Sequence, residues 1–363
     1  MTLTDVETKA EHRSVSGRQL LFEFAPVWAF GVAIAIVLFL VWTVGANPWS
    51  ALGELASGAF GSSYALGTTA VKTTPLLLTG LAVTIGVRCG VWNLGTEGQV
   101  YMGALLATVV LLQLNDIRSG LLLIPVGLVC GFVGGSVWMA IPALLRVFRG
   151  VSELITTLLM SFIAINVTTV LIQGPLGKAG SSFPTSEDIP ASSVLPILIS
   201  GTRMHWGIVI AIALSAVAYF VVWKTGFGLE IRTVGQNERA ARFAGIPART
   251  RLLQVLLLSG GIGGLAGAVE IMGVHHRLPQ GFSPGYGFAA IAVALLARSD
   301  PRWIVFAALL FGALESGAPA LQRNLGVPTQ IADITQALVI LSVIVGYGLR
   351  DRYRVRTNVQ TSA

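Results

Sequence analysis

The feature that most constrains this chain is a series of apolar stretches, most of them about as long as one membrane crossing. Hydrocarbon offers the backbone no hydrogen-bond partners, so a crossing segment must satisfy its own amides, and a helix needs ~20 mostly apolar residues to do so. The stretches run over residues 25–45, 68–88, 98–114, 120–146, 153–173, 206–223, 253–273, 287–297, 303–322 and 330–349, ten in all. Residues 287–297 are too few to cross alone and suit a half-helix. With 54% hydrophobic and 11% charged residues, and a mean hydropathy of +0.76, a soluble domain could not hide the apolar surface. The expected fold is therefore all-α, a polytopic transmembrane helical bundle. No linker or low-complexity tract interrupts it, so residues 1–363 read as one membrane domain.

The basic residues punctuate the apolar runs and form no patch, which speaks against a nucleic-acid partner in spite of the net charge of +7. With the N-terminus in the cytoplasm, 18 of the 24 Lys and Arg fall on the inner side and 6 on the outer. Such a bias is the positive-inside pattern, and it puts both termini in the cytoplasm. The first run follows Asp5, Glu7, Lys9, Glu11, Arg13 and Arg18 without a small-residue cleavage site, so it reads as a retained helix. Two connections are then long. Residues 174–205 are external and rich in Gly, Ser and Pro, a surface suited to an extracytoplasmic partner; residues 224–252 are cytoplasmic and basic. Cys89 and Cys130 lie in apolar stretches without ligand spacing and read as buried spectators.

Within the cytoplasmic connection, Asn237 suits the N-cap of a short helix with Glu238 in its first turn, and Gly245 and Pro247 would stop it. Ala240, Ala241, Phe243 and Ala244 would give it a small apolar surface between Arg239 and Arg242. Two readings stand: a docking helix for a partner, or a basic loop facing anionic membrane lipid. Residues 92–99, Trp-Asn-Leu-Gly-Thr-Glu-Gly-Gln, place Asn93, Glu97 and Gln99 at membrane depth. A buried carboxylate there costs ~3 kcal/mol unless it meets a cavity or a partner. Glu97 is thus either a polar wall of a pathway or an internal cap of a broken helix. Glu153, Glu270, Glu315 and Asp333 are expected to pair with nearby arginines. The segment 275–288 combines Pro and Gly with His276, Gln280, Phe282 and Tyr286, whose rings could stack on a base while His276 and Gln280 hydrogen-bond a polar ligand. It could equally be a connector that meets a binding protein. His275 and His276 are adjacent and share no helix face, so no metal site is expected.

The string Ser259-Gly-Gly-Ile-Gly-Gly-Leu-Ala-Gly contains G-x-G-x-x-A without a preceding strand, and its Gly260/Gly264 and Gly263/Gly267 pairs read as helix-packing positions. No phosphate-binding G-x-x-x-x-G-K-[ST] occurs. No catalytic residues are expected in this chain.

Three stretches resemble a known family. Residues 228–247 are similar to the cytoplasmic coupling motif of ABC-importer permeases, in the group that carries branched-chain amino acids, simple sugars and nucleosides. Residues 92–99 resemble that group's Asn-Ile-Gly-x-Glu-Gly-Gln signature, and residues 275–296 look like nucleoside permeases in particular. The family often has an acidic residue after the Gly287-Phe288 pair, where this chain has Ala289. The resemblance implies a multi-pass, non-catalytic transport subunit in a prokaryotic cytoplasmic membrane. Its implied partners are ABC ATPase subunits that use ATP and Mg, a second, different permease, and a substrate-binding lipoprotein. Gly235, Asn237, Ala240, Ala241, Phe243 and Gly245 would engage the ATPase. Asn93, Glu97, Gln99, His276, Gln280, Phe282 and Tyr286 would face the path of a nucleoside or of a simple sugar such as ribose. An ion-coupled carrier would work without a coupling helix, and a polytopic membrane enzyme would need titratable groups converging at one depth.

Overall fold

A computed structural model describes residues 25–331 and isolated positions from 334 to 346. The N-terminal charged tract, most of the expected span 330–349, Asp333 and the basic residues from Arg350 onward lie outside the described residues, and so does the placement of both termini. Among the described residues every regular element is a helix. In chain order these are α1 (Ala25–Thr43), α2 (Pro48–Phe60), α3 (Ser63–Arg88), α4 (Thr96–Gln113), α5 (Gly120–Arg149), α6 (Glu153–Gln173), α7 (Gly207–Lys224), α8 (Gly226–Gln236), α9 (Glu238–Phe243), α10 (Ala248–Glu270), α11 (Tyr286–Leu296) and α12 (Pro301–Leu325).

Six of these are long and apolar enough to cross a membrane, namely α3, α5, α6, α7, α10 with its extension to His275, and α12; α1 with α2 makes a seventh if a bent pair counts as one span. The described helices thus account for six or seven of the ten expected segments as crossings, and one further segment lies mostly outside the described residues; two of the differences have local reasons. After α1 the chain turns through 107°. Gly45 has φ +86°, and Asn47 accepts from the backbone N–H of Trp49 at 2.9 Å, starting a new helix with Pro48 in its first turn. The first turn of α4 contains Glu97 and Gln99, which dilute its apolar run. The half-helix expected at 287–297 is the 11-residue α11.

The helices sort into an inner and an outer set. In α3, 83% of the most apolar window is buried inside the protein, against 28% in each of α5, α6 and α7, whose exposed Val, Leu, Ile and Phe side chains face the lipid. The most extensive packing is made by α10, which runs along both α4 and α5. A methyl carbon at Gly264 would overlap the backbone of Gly131 and Gly135 in α5, and one at Gly260 would overlap Met139. One at Gly267 would overlap the carbonyl of Val100 in α4, and one at Gly263 would press on Gln99. The two small-residue pairs read from the sequence are both used, one against each neighbour. In lipid, where apolar burial does not drive helices together, such backbone approach is a main source of association.

Contacts also gather the connections as the charge count groups them. Arg88, Trp223, Arg232 and the 298–302 turn meet at one end. The loop 174–205 clasps the 272–280 segment, with Ser186 N–H on the Leu278 carbonyl at 3.0 Å and Ile189 N–H on the His276 carbonyl at 2.9 Å. Lys72 departs from the grouping. One of the six residues counted to the outer side, it lies inside α3.

Candidate functional site

The signature 92–99 enters α4 through a buried polar knot. Asn93 and Gln99 exchange amide hydrogen bonds, Nδ2 to Oε1 at 2.8 Å and Nε2 to Oδ1 at 2.9 Å. Asn93 Nδ2 also donates to Ser259 Oγ at 2.8 Å, and that hydroxyl donates to the Ala82 carbonyl at 2.7 Å. Asn93 Oδ1 accepts the Gly95 N–H at 3.0 Å, closing the turn before the helix. One pair of side chains thus ties α3, α4 and α10. Inside an apolar bundle an unmet amide costs about 1–3 kcal/mol, so the pairing fixes both residues tightly. The glycines of the signature serve contact with α6: a methyl carbon at Gly95 would strike Thr157, and one at Gly98 would lie 2.6 Å from the Ser161 backbone.

Glu97 points elsewhere. Its Oε2 accepts the Gly287 N–H at 2.6 Å, at the N-terminus of α11. Ser283 Oγ accepts the N–H groups of Gly285 at 3.2 Å and Tyr286 at 3.3 Å. The first amides of the half-helix are therefore met by a hydroxyl from the preceding loop and a carboxylate from another helix, which also suits the positive end of the α11 dipole. Glu97 is an inter-helix cap in this conformation, at the very turn where the aromatic segment begins.

Of the aromatic segment, Phe282 and Tyr286 are both buried. Phe282 packs on Tyr101 with ring centroids 4.8 Å apart and edge-on to His275 at 6.1 Å. Tyr286 receives a hydrogen bond from Lys72 Nζ at 3.2 Å, and that ammonium stands 5.6 Å from the ring centroid. The carboxylates of Glu270, Glu315 and Glu97 lie within electrostatic reach of the same hydroxyl. Tyr286 is thus the centre of a small polar cluster inside the bundle. Gln280 accepts from Gln173 Nε2 at 3.1 Å and sits in the clasp between the 174–205 loop and the 272–280 segment. His276 is exposed, with a left-handed backbone at φ 58°, ending the π-helical turn Ile271–His275. The part of its ring that is shielded from water, and then the neighbouring His275 and Arg203, hold its imidazole below the usual histidine range. The structure brings Glu97, Phe282 and Tyr286 together, closes Asn93 and Gln99 on each other, and sets His276 and Gln280 apart where the 174–205 loop clasps the 272–280 segment.

The buried acids divide in their partners. Glu153 pairs with Arg146 at 2.9 Å, as expected. Glu270 faces His275 Nε2 at 3.6 Å in place of an arginine, because α10 runs on into the turn that carries the histidine.

At the other end, α8 and α9 form the segment 226–243. Asn237 caps α9, accepting the Ala240 N–H at 3.0 Å, and Gly245 at φ +80° ends it in the left-handed conformation that favours glycine. The apolar surface is divided differently from the expectation. Ala241 is fully buried against the protein, whereas Phe243 is 94% exposed, with Ala240 and Ala244 also exposed. Six residues allow fewer than two turns, so neighbouring apolar positions cannot share one face. Gly235 faces inward too, against the carbonyl end of α3.

Residues 65–344 match the family described as "Branched-chain amino acid transport system / permease component". The chain belongs to this family. It is 35% identical over 348 residues to a glucose ABC transporter permease protein of Haloferax volcanii, covering 91% of each chain. It is 32% identical over 338 residues to a guanosine ABC transporter permease protein of Bacillus subtilis, covering 92% of this chain and 96% of the relative. A nucleoside ABC transporter permease protein of Lactococcus lactis is 31% identical over 327 residues, 88% of this chain and 89% of its own. The protein is accordingly a multi-pass membrane permease subunit of the ABC group that includes branched-chain amino acid, sugar and nucleoside carriers.

Sequence reasoning had not singled out three residues at the permease's interior site. Lys72 was counted as a topology charge, although a single lysine nine residues into an apolar helix is itself a signal of an interior role. Tyr101 reads as one more apolar residue of α4. Ser259, the first residue of the glycine string, completes the amide knot only because α10 approaches α3 closely enough.

Proposed function

We propose that this permease imports nucleosides across a prokaryotic cytoplasmic membrane, as the non-catalytic subunit of a complex whose separate ATPases consume ATP and Mg. Its partners in this reading are those ATPases at Phe243 and its exposed neighbours, a second permease, and a substrate-binding lipoprotein above the external clasp. The inner side is the end that carries α8 and α9, in keeping with the excess of basic residues there. The observation that carries the nucleoside reading is the likeness, over about nine-tenths of the chain, to relatives named for guanosine and nucleosides. The interior supports it. Phe282 and Tyr101 form an aromatic pair beside the polar cluster of Lys72, Tyr286 and Glu97, so one wall offers both ring faces and hydrogen-bonding groups. Base stacking on such a ring is worth about 1–3 kcal/mol per contact. Phe282 and Tyr286 are buried in this conformation, and alternation between inward and outward states would uncover them.

A second reading, import of a simple sugar, is favoured by the 35% identity to the glucose permease. The test is uptake into proteoliposomes containing the complete complex, with labelled adenosine, uridine, glucose, ribose and leucine in parallel. Nucleoside uptake that depends on ATP is the expected result. Uptake of a sugar alone would replace the nucleoside reading with the sugar one, and uptake of leucine alone would defeat both.

A further inference from the structure

The end of the bundle that carries α8 and α9 holds an unusual joint. The guanidinium of Arg88, the last residue of α3, lies 5.0 Å from the centre of the Trp223 ring, and that of Arg232 in α8 lies 4.5 Å from the same ring. Two cations thus share one indole near the end of α7. The indole N–H is buried and has no hydrogen-bond partner among the described residues. Buried tryptophans normally satisfy that group, so the ring is held here by its faces and not by its polar edge. Arg88 also reaches across to the turn between α11 and α12, donating from Nε to the Ser299 carbonyl at 2.5 Å and from Nη2 to the Arg298 carbonyl at 3.4 Å.

That turn is itself conformationally costly. Arg298 and Ser299 have φ of 54° and 50°, consecutive left-handed positions that a Cβ disfavours. Its downstream side is held by Asp300, which accepts the Arg302 N–H at 3.0 Å and starts α12. A second contact runs parallel to the first. Gly235 of α8 rests on the backbone at Arg88 and Cys89, and a methyl carbon at Gly90 would lie 3.1 Å from Gly235 Cα. The α8 segment therefore touches the end of α3 twice, once backbone to backbone and once through the shared indole. From there a single side chain spans to the far end of α11, the half-helix whose opposite end is capped by Glu97 and carries Tyr286.

We propose that Arg88 is a positioning residue for transport, which with Trp223 and Arg232 makes α8 and the α11–α12 turn move as one body. Displacement of α9 by the ATPase would then reach the half-helix through this joint, with the end of α7 as its only outer-helix member. The proposal rests on the reading of α9 as the ATPase-facing helix. A guanidinium suits the task because it can stack and donate from a planar edge at once, which an ammonium cannot.

The test uses the complete complex in proteoliposomes, measuring ATP hydrolysis and nucleoside uptake together. Arg88→Ala and Trp223→Leu are expected to keep ATP hydrolysis near the unmodified level while uptake per ATP falls by about tenfold, in the range of ordinary coupling energies. Trp223→Phe keeps a ring face and should restore most of the uptake, whereas Arg88→Lys should not. Unchanged uptake per ATP in both Arg88→Ala and Trp223→Leu overturns the proposal. If those variants do not assemble, spin labels at Gln236→Cys and Trp303→Cys decide it, with Cys89 and Cys130 replaced by Ala. One distance, equal in nucleotide-free and ATP-bound complexes, is expected; a change of roughly 5 Å, one helical turn, overturns the joint. An unmodified chain that co-purifies with no ATPase defeats the transporter reading instead, before any variant is made.

Discussion

Where α10 crosses α4 and α5, backbone meets backbone, with Gly264 facing Gly131 and Gly135 and Gly267 facing Val100. Where α9 projects from the opposite kind of surface, a single phenylalanine stands almost wholly in the open while the neighbouring Ala241 is sealed against the protein. Each region uses small residues, to different ends. In the inner bundle they remove side-chain volume so that helices can touch in a solvent that does not push them together. In α9 they leave one large apolar side chain unhidden, and the helix is too short to be stable without support. That support comes from Asn237, from Arg251 bonded to Glu230 of α8 at 2.5 Å, and from the Arg242–Glu238 ion pair. A packed interior and a short helix with an exposed Phe243 should therefore respond to mutation in opposite ways.

The sharpest test of that contrast is Gly264→Leu. The new side chain has no room on either neighbour, and overpacking of this kind costs about 3 kcal/mol or more. Purified protein in detergent should lose its cooperative thermal transition or shift it down by many degrees; an unchanged midpoint would mean that the inner helices can part without penalty. Next comes Phe243→Asp, which should leave the thermal midpoint where it was and abolish co-purification with the ATPase. Ala241→Glu supplies the control, because a buried unpaired charge should lower the midpoint as well. If the two variants behaved alike, the division of α9 into an inner and an outer face would fail.

The smallest effect belongs to the clasp of the 174–205 loop on residues 272–280, which resembles neither region, being held in part by exposed ion pairs. Lys178 bonds Asp188 at 2.8 Å, and Arg277 lies 3.6 Å from the same carboxylate. The hydrogen bond from Lys178 depresses the Asp188 carboxyl below its usual value, against an opposing contribution from burial. A depressed folded value means the contribution is whole above the unfolded value of about 3.9 and is lost as pH falls below it. Hydrogen exchange over residues 178–188 should quicken as pH drops from about 5 to 3, after correction for the intrinsic rate, with the thermal midpoint barely moved. Equal protection at both pH values would show that the clasp rests on its backbone bonds alone.

Much of this architecture was legible in the residues. Apolar length marks α3, α5, α6, α7, α10 and α12 because a crossing helix must be long and apolar whatever its neighbours are. Asn237 and Gly245 mark the ends of α9, since capping and left-handed stops are local chemistry. Less legible was anything that depends on which helix faces which. An apolar run does not reveal that the chain bends at Asn47 or that α4 starts with a turn of polar residues, so among the described residues fewer runs than expected are long and apolar enough to cross.

What the sequence by itself determined is therefore the membrane as solvent, the helical class and the places where backbone must come close. Each of these follows from hydrogen bonding and volume within a few turns of one helix. Only the tertiary structure decided that Asn93 and Gln99 close on each other, that Glu97 caps the half-helix from 190 positions away, and that Ala241 turns in while Phe243 turns out. Those outcomes depend on the rotation of one helix against another. That rotation is set by side-chain volumes on both surfaces at once, which no single stretch of sequence contains.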